Sequence, residues 1–147
     1  MKLVFGSDHA GFRYRQMLAE HARNLGHSVT EVGAEGLESY DYPDASDALA
    51  PYLLESKADL GVLICGSGIG VSIRANRYPH IRAALCTTVE LGQLARQHNH
   101  ANVLCLGERI ISEELARGIF DAFLATKPDN EQRHEKRVKK LDAPLGC

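Results

Sequence analysis

A cysteine directly before a glycine-rich turn is the feature of this sequence that most clearly suggests chemistry. Cys65 ends a continuous apolar run and is followed by Gly-Ser-Gly-Ile-Gly at positions 66–70. Glycines allow backbone conformations that other residues avoid, so several N–H groups can point toward one anion. The amino end of a following helix favours a thiolate, the reactive form of cysteine. Cys65 is therefore a candidate base for removing a proton from carbon. The turn amides and the Ser67 hydroxyl would stabilise the enediolate oxygen that this step creates.

The spacing around Cys65 does not fit several other uses of a glycine-rich turn. A dinucleotide-binding G-x-G-x-x-G motif would need glycine at position 71, where the sequence has valine. A cysteine phosphatase would have arginine at that same position, and a P-loop would continue with Lys followed by Ser or Thr. A response regulator would carry aspartate in place of Cys65. One structural alternative remains for Cys65, namely that it is a buried strand residue before a tight turn. For Cys86 and Cys105, a structural role is the favoured interpretation.

Polar residues at other predicted strand and helix ends could complete a site. Asp8 and His9 follow the first predicted strand, and Arg109 follows the fifth. His98 and Asn99 end the helix that precedes the fifth strand. Ligands of doubly wound sheets bind beyond the carboxyl ends of the strands, and we expect all of these side chains on that one rim. Each is ambiguous alone, because a histidine at such a position is often hydrogen-bonded by its neighbours.

Two arginines one turn apart mark the last predicted helix, at about 129–141. Arg133 and Arg137 share one face of this helix, and two guanidinium groups at this spacing suit a phosphate dianion. Surface charge is the simpler interpretation of the pair. Val138 and Leu141 are the strong apolar residues of the helix. So polar a helix suits its own core poorly, and we predict that it packs on a neighbouring subunit.

Short apolar runs alternate with helical patterns along the chain. Strands are predicted at 3–5, 28–32, 61–65, 82–86 and 103–106. Six helices are predicted. The first covers about 12–25 with Gly26 as its cap, the second runs from Pro43 past Leu53, and the third follows the glycine-rich turn. The fourth begins at Thr87-x-x-Glu90, the fifth begins at Ser112, and the last covers about 129–141. This order predicts an α/β fold in one domain, 1–147: a doubly wound, Rossmann-like, five-stranded parallel sheet with helices on both faces.

The composition is that of an ordinary globular protein and disfavours two classes of partner. With 17 basic and 19 acidic residues the formal charge is −2, whereas a nucleic-acid binder usually has a basic excess. No apolar run approaches membrane-spanning length, and the N-terminal run is too short for a signal peptide. The four cysteines fit neither a zinc site nor a disulfide framework. We therefore expect reduced thiols, no metal and a cytoplasmic protein.

Five separated motifs, taken in order, resemble the ribose-5-phosphate isomerase B family. That family also contains galactose-6-phosphate and allose-6-phosphate isomerases, and the likeness covers about residues 2–141. The motifs are GSDHAGF at 6–12, DYP at 41–43, ICGSGIGVSI at 64–73, RQHN at 96–99 with NVL at 102–104, and RHxxRV at 133–138.

The resemblance implies a role for each candidate residue and requires no cofactor. Cys65 would move a proton between C1 and C2 of the sugar, and His98 would help to open the furanose ring. Asp8 would handle a proton on the ring oxygen or a neighbouring hydroxyl. The residues that would stabilise the enediolate are Ser67 and the amides of Gly66, Gly68, Ile69 and Gly70. The phosphate would be bound by His9, Arg109, Arg133 and Arg137. Tyr42, otherwise a packing aromatic or a ring platform, would line the sugar site with Asn99.

The resemblance also implies a substrate and an assembly. The expected reaction interconverts ribose 5-phosphate and ribulose 5-phosphate in the pentose phosphate pathway, within a homodimer or dimer of dimers that shares its active sites. Allose 6-phosphate, galactose 6-phosphate or a tetrose phosphate are alternative substrates. A non-catalytic sensor of sugar phosphates or nucleotides is the alternative of a different class. Arg74, where the family has a small residue, and the loop 33–39, expected to border the sugar, depart from the pattern.

Overall fold

The computed structural model describes residues 1–144 as alternating strands and helices. In chain order the elements are β1 (Lys2–Ser7), α1 (Phe12–Asn24), β2 (Ser28–Gly33), α2 (Tyr42–Leu54), β3 (Leu60–Cys65), α3 (Ile69–Ala75), β4 (Ala83–Leu85), α4 (Val89–Asn99), β5 (Val103–Gly107), α5 (Glu113–Ala125) and α6 (Gln132–Asp142). A short 3₁₀ turn, His9–Gly11, joins β1 to α1. Within residues 1–144, no helix combines the length and apolar character needed to cross a lipid bilayer.

The five strands form one parallel sheet in the order β2-β1-β3-β5-β4, which confirms the predicted fold class. From β1 the chain moves outward to β2 and then crosses back to β3 on the other side of β1. The carboxyl ends of β1 and β3 therefore flank the point where the strand order reverses, the usual ligand position in such sheets. Ser7 pairs with Ile64, so Asp8, which follows β1, lies beside Cys65, the last residue of β3.

Side chains alternate between two packed layers, because successive residues of a strand point to opposite faces. Phe5, Ile64 and Leu104 pack on one side with residues of α1, α4 and α5. Val4, Leu63 and Cys65 pack on the other side with residues of α2 and α3. The side chain of Cys65 therefore belongs to the α2–α3 layer.

Helix ends follow most of the predicted capping signals. Gly26 has a φ of 85°, as expected of a helix-terminating glycine, and the Ser112 hydroxyl accepts the Leu115 N–H at 3.2 Å. The predicted start of α4 at Thr87-x-x-Glu90 is wrong by one residue. Thr88 has the extended backbone that a helix cap needs, and its hydroxyl accepts the Leu91 N–H at 3.2 Å.

The last helix packs partly on its own chain. His134 and Val138 of α6 are buried, and α6 lies against α4. Arg82 pairs with Asp142 at 2.9 Å and holds the far end of the helix. Leu141, one of the two expected apolar anchors, is 60% exposed. Packing of the rest of α6 on a second subunit stays a prediction.

Candidate active site

The turn after β3 places a backbone N–H against the sulfur of Cys65. Cys65 is the last residue of β3 and is 4% exposed. Gly68 adopts a φ of 78° and donates its N–H to the Cys65 Sγ at 3.1 Å. The next amide, that of Ile69, donates to the Ser67 hydroxyl at 3.2 Å. The Gly68 N–H is therefore a hydrogen-bond donor aimed directly at the sulfur atom of Cys65.

Two of the glycines in this turn are required by the available space. A Cβ at Gly68 would lie 2.6 Å from the Leu85 Cδ1 and 2.8 Å from the backbone carbon of Leu106, in a left-handed conformation that other residues rarely adopt. A Cβ at Gly70 would lie 2.5 Å from the ring of Tyr42. The ring of Tyr42 thus lies directly on the first turn of α3.

Replacing Gly68 with alanine is expected to destabilise the fold by about 1–3 kcal/mol, because a side chain there is strained and meets its neighbours. Urea denaturation of the variant and the parent protein measures this change. Gly36→Ala is the matched control, since the Cβ position there has no neighbour within 4 Å. Equal midpoints for Gly68→Ala and the parent would show that the turn tolerates a side chain.

The turn after β1 brings an acid and an imidazole beside Cys65. Asp8 is 6% exposed, and its Oδ1 accepts the Gly11 N–H at 2.9 Å. A Cβ at Gly11 would overlap the carbonyl oxygen of Ile64, so this turn packs closely on the end of β3. The Nδ1 of His9 lies 3.1 Å from the Tyr40 backbone nitrogen and 3.2 Å from the Tyr40 carbonyl oxygen, so the backbone of Tyr40 holds this edge of the ring in either tautomer. The His9 Nε2 is then the ring nitrogen left for a ligand.

The segment after β5 closes the opposite side of the same site. The Arg109 N–H donates to the Gly66 carbonyl at 3.0 Å, and the Glu108 N–H donates to the Cys65 carbonyl at 3.0 Å. The guanidinium of Arg109 lies over Gly66, where a Cβ would be 3.3 Å from its Nη1. The side chain is exposed, so this cation can meet an anionic ligand above the turn.

These segments border one open cleft of about 560 Å³. The predicted residues that line it are Asp8, His9, Tyr42, Cys65, Gly66, Ser67, Ile69, Gly70 and Arg109. Gly68 is buried beneath the turn. The sequence analysis did not single out Ile73 and Ile110, which also line the cleft and are 55% and 59% exposed. Ile73 follows Ile69 by one turn of α3, a spacing that could have revealed it.

The other four predicted site residues lie elsewhere in the chain. His98 stacks on His134, and Asn99 borders a separate cavity of about 410 Å³. Arg133 and Arg137 are exposed on α6. In the single chain none of these four lines the Cys65 cleft.

The expectation that His98 and Asn99 share the rim of Cys65 is wrong for a single chain. The segment that follows α4 lies at the amino ends of the strands: the Asn102 carbonyl accepts the Gly61 N–H, at the start of β3. Cys65 ends that strand four residues later, a separation of about 13 Å. A helix between parallel strands runs back against them, so it ends at the edge opposite to the strand ends. An imidazole cannot reach across this distance.

Arg74 and the loop 33–39 do not face the Cys65 cleft. The guanidinium of Arg74 binds both carboxylate oxygens of Asp47, at 2.6 and 2.9 Å. Hydrogen bonding from Arg74 and then from Tyr78 lowers the pKa of Asp47. Residues 33–36 and 38–40 border a separate cavity of about 690 Å³ instead. Tyr40, through its contact with His9, links this loop to the cleft.

The described thiols differ in their surroundings. Burial raises the pKa of Cys86 to about 11, and it raises the pKa of Cys105 well above its usual range. Both thiols are therefore protonated at neutral pH, as expected of structural cysteines. Cys147 lies outside the described residues. Cys65 is the thiol of residues 1–144 that borders the cleft.

One group of side chains has donor atoms close enough for a metal ion. Atoms of Asp129, Glu131 and His134 lie within 4.8 Å of one another. Their contacts inside the chain account for the arrangement, because the Asp129 carboxylate accepts the Glu131 N–H at 2.8 Å and Glu131 pairs with Arg133 at 2.7 Å. We therefore assign Asp129 and Glu131 a structural role in the loop before α6.

Comparison with known proteins supports the resemblance over nearly the whole chain. Residues 3–141 match the family described as Ribose/Galactose Isomerase. The chain belongs to this family. Ribose-5-phosphate isomerase B of Escherichia coli is 39% identical over 97% of this chain and 95% of its own length.

Solved structures of the ribose/galactose isomerase family agree with the fold. Ribose-5-phosphate isomerase B of Clostridium thermocellum superposes with a TM-score of 0.94 at 40% identity, covering 97% of this chain and 95% of that one. The Thermotoga maritima ribose 5-phosphate isomerase gives a TM-score of 0.93 at 43% identity, covering 96% and 97%. The predicted family, fold and enzyme class are confirmed: this member of the family is an aldose–ketose isomerase.

Proposed function

We propose that this isomerase interconverts ribose 5-phosphate and ribulose 5-phosphate with Cys65 as the base. The observation that carries the proposal is the Cys65 sulfur, which accepts the Gly68 N–H at 3.1 Å in a cleft that Asp8, His9 and Arg109 also line. The substrate is the one in the names of the Escherichia coli and Clostridium thermocellum proteins. A place in the pentose phosphate pathway, in the cytoplasm, belongs to the same proposal.

The proton transfer uses Cys65, at the start of the turn after β3, and the hydrogen-bond donors of the turn itself. The Cys65 thiolate takes the proton from C2 of the open-chain aldose, and the thiol returns it to C1 of the enediolate. The Ser67 hydroxyl, together with turn amides other than those of Gly68 and Ile69, stabilises the negative oxygen, as donors of an oxyanion hole do. Asp8 handles the hydroxyl proton that moves between O2 and O1. No electron acceptor is needed, because the hydrogen lost at C2 is regained at C1.

Phosphate binding explains the cations at the rim. His9 presents its Nε2, and Arg109 presents an exposed guanidinium on the other side of Cys65. Arg133 and Arg137 suit the same phosphate by charge but lie on α6, away from this cleft. Within one chain the cleft therefore holds half of the expected cationic groups.

A homodimer with shared sites accounts for this division. His98, Asn99, Arg133 and Arg137 would reach the cleft from a second subunit, in a dimer or a dimer of dimers. The cleft border carries exposed apolar side chains, with Ile69 at 52%, Ile73 at 55% and Ile110 at 59%. Clustered exposed apolar side chains mark surfaces that a partner covers. A two-fold axis would complete two identical sites at once.

A panel of aldose phosphates tests the substrate. We expect the highest kcat/KM with ribose 5-phosphate, and lower values with allose 6-phosphate, galactose 6-phosphate and an aldotetrose 4-phosphate. Ketose formation is measured for each. A higher kcat/KM with a hexose phosphate would reassign the substrate and leave the isomerase chemistry in place. Binding of every sugar phosphate without turnover would instead favour a sensor.

Replacing His98 with asparagine is expected to lower turnover of ribose 5-phosphate by about 10²–10⁴, the usual contribution of a general acid–base group. Turnover of an aldotetrose 4-phosphate is expected to change little. This sugar cannot close a furanose ring because its C4 oxygen is esterified, so it needs no ring opening. Rates of ketose formation from both sugars measure the difference. Equal losses on the two sugars would assign His98 to binding or packing.

A further inference from the structure

A buried histidine lies directly behind His98. The rings of His98 and His134 are parallel, with an interplanar angle of 4° and centroids 4.5 Å apart. His134 is 4% exposed, whereas His98 is only partly buried. One face of the His98 ring is thus covered by a fixed aromatic surface, and its edge remains accessible.

The loop that leads to His134 is attached on both sides of His98. The Asp129 N–H donates to the carbonyl of Gln97 at 2.9 Å, and the Nε2–H of His100 donates to the carbonyl of Asp129 at 2.8 Å. His100 ends α4 in a left-handed conformation, with a φ of 50°. Gln97 and His100, which lie on either side of His98 in the sequence, are therefore held against the segment that carries His134.

Packing alone does not explain the choice of histidine at position 134. Its Nε2 is buried and has no hydrogen-bond partner among residues 1–144, and the nearest charge is the Asp129 Oδ2 at 3.7 Å. A buried polar atom without a partner is unfavourable, and an apolar side chain of similar size would avoid this. A branched aliphatic side chain would not provide a flat ring that stacks on His98.

We propose that His134 is a positioning residue that fixes the plane of the His98 imidazole for ring opening. The inference rests on the proposed function, in which His98 serves the cyclic form of the sugar. A partly exposed imidazole at a helix end rotates freely, and only some orientations aim a ring nitrogen at the furanose oxygen. The stack with His134 selects the plane, and the bonds of the Asp129 backbone to Gln97 and His100 fix the distance.

The test compares His134→Leu with His134→Phe on two substrates. His134→Leu removes the flat surface and is expected to lower kcat/KM for ribose 5-phosphate by about ten- to a hundredfold, the effect of misplacing a catalytic group. Turnover of an aldotetrose 4-phosphate, which cannot form a furanose, is expected to stay within about twofold, because ring opening is bypassed. His134→Phe restores a flat ring and is expected to recover most of the loss on ribose 5-phosphate.

Val138→Ala is the matched control for damage to α6. Val138 is 8% exposed and lies one turn further along the same face of the helix, so its truncation loosens the helix and leaves the stack of rings. We expect similar, small losses on both sugars for this variant. Exchange of the C1 hydrogen of ribulose 5-phosphate with solvent deuterium is a second ring-independent readout, since that ketose also cannot form a furanose.

The possible outcomes separate the inference from the function on which it rests. Equal losses on both sugars for His134→Leu would show that the helix and its arginines were displaced, and would overturn the positioning role. Unchanged kinetics, or no recovery in His134→Phe, would also overturn it. Absence of ribose 5-phosphate isomerisation by the parent protein would overturn the proposed substrate instead.

Discussion

Replacing Cys65 with alanine is expected to lower kcat for ribose 5-phosphate by about 10²–10⁴, since a general base contributes that much. The cleft offers few alternative bases for the carbon proton: one carboxylate oxygen of Asp8 accepts the Gly11 N–H while the group serves the hydroxyl proton, and the backbone of Tyr40 holds the Nδ1 of His9. The fold and the affinity for phosphate are expected to remain, because the cationic groups are untouched. Circular dichroism and competition by inorganic phosphate check these two expectations.

Cys86→Ala is the matched control for this experiment. Cys86 is 1% exposed and its thiol is protonated at neutral pH, so its loss affects packing and not the chemistry. We expect this variant to keep kcat within about twofold of the parent protein. If Cys65→Ala kept its activity within about tenfold, a thiolate base at this position would be untenable.

Mixing two inactive variants is expected to restore about a quarter of the parent activity, provided that the active site spans two subunits. Cys65→Ala and Arg137→Ala are unfolded together and refolded as a mixture. Random pairing makes half of the dimers mixed. In each mixed dimer one site carries both defects, and the other combines an intact Cys65 with an intact Arg137. The structure motivates the test, because Arg137 lies on α6 and does not line the Cys65 cleft of its own chain.

A second mixture provides the matched control for this restoration. Asp8 and Cys65 line the same cleft of one chain, so Cys65→Ala mixed with Asp8→Asn leaves a defect in every site. Asparagine can still accept the Gly11 N–H, which keeps the turn after β1 in place. We expect no gain in this mixture above the average of its parents. The same result for the first mixture, with subunit exchange confirmed by mass spectrometry of tagged chains, would rule out the shared site.

Local sequence patterns contained most of the fold and the centre of the site. Apolar runs of strand length alternating with helical periodicity predicted five parallel strands, because each element must bury one face or both. The glycines after Cys65 predicted the turn that now brings the Gly68 N–H to the sulfur, since only glycine takes that backbone conformation with so little space. Asp8 and His9 could be assigned to the same edge because they follow a parallel strand.

The structure divides the site into two groups, and the order of strands and helices already contained part of this division. The alternation of strands and helices already requires α4 to end at the amino edge of the sheet, and the sequence reasoning overlooked this for His98. The lateral order of strands, which makes Asp8 and Cys65 neighbours, is set by packing between distant segments and leaves no local pattern. The pairing of Arg74 with Asp47 and the stack of His98 on His134 join residues 27 and 36 positions apart. Such contacts depend on how helices pack against one another, and the periodicity within a single helix does not encode that packing.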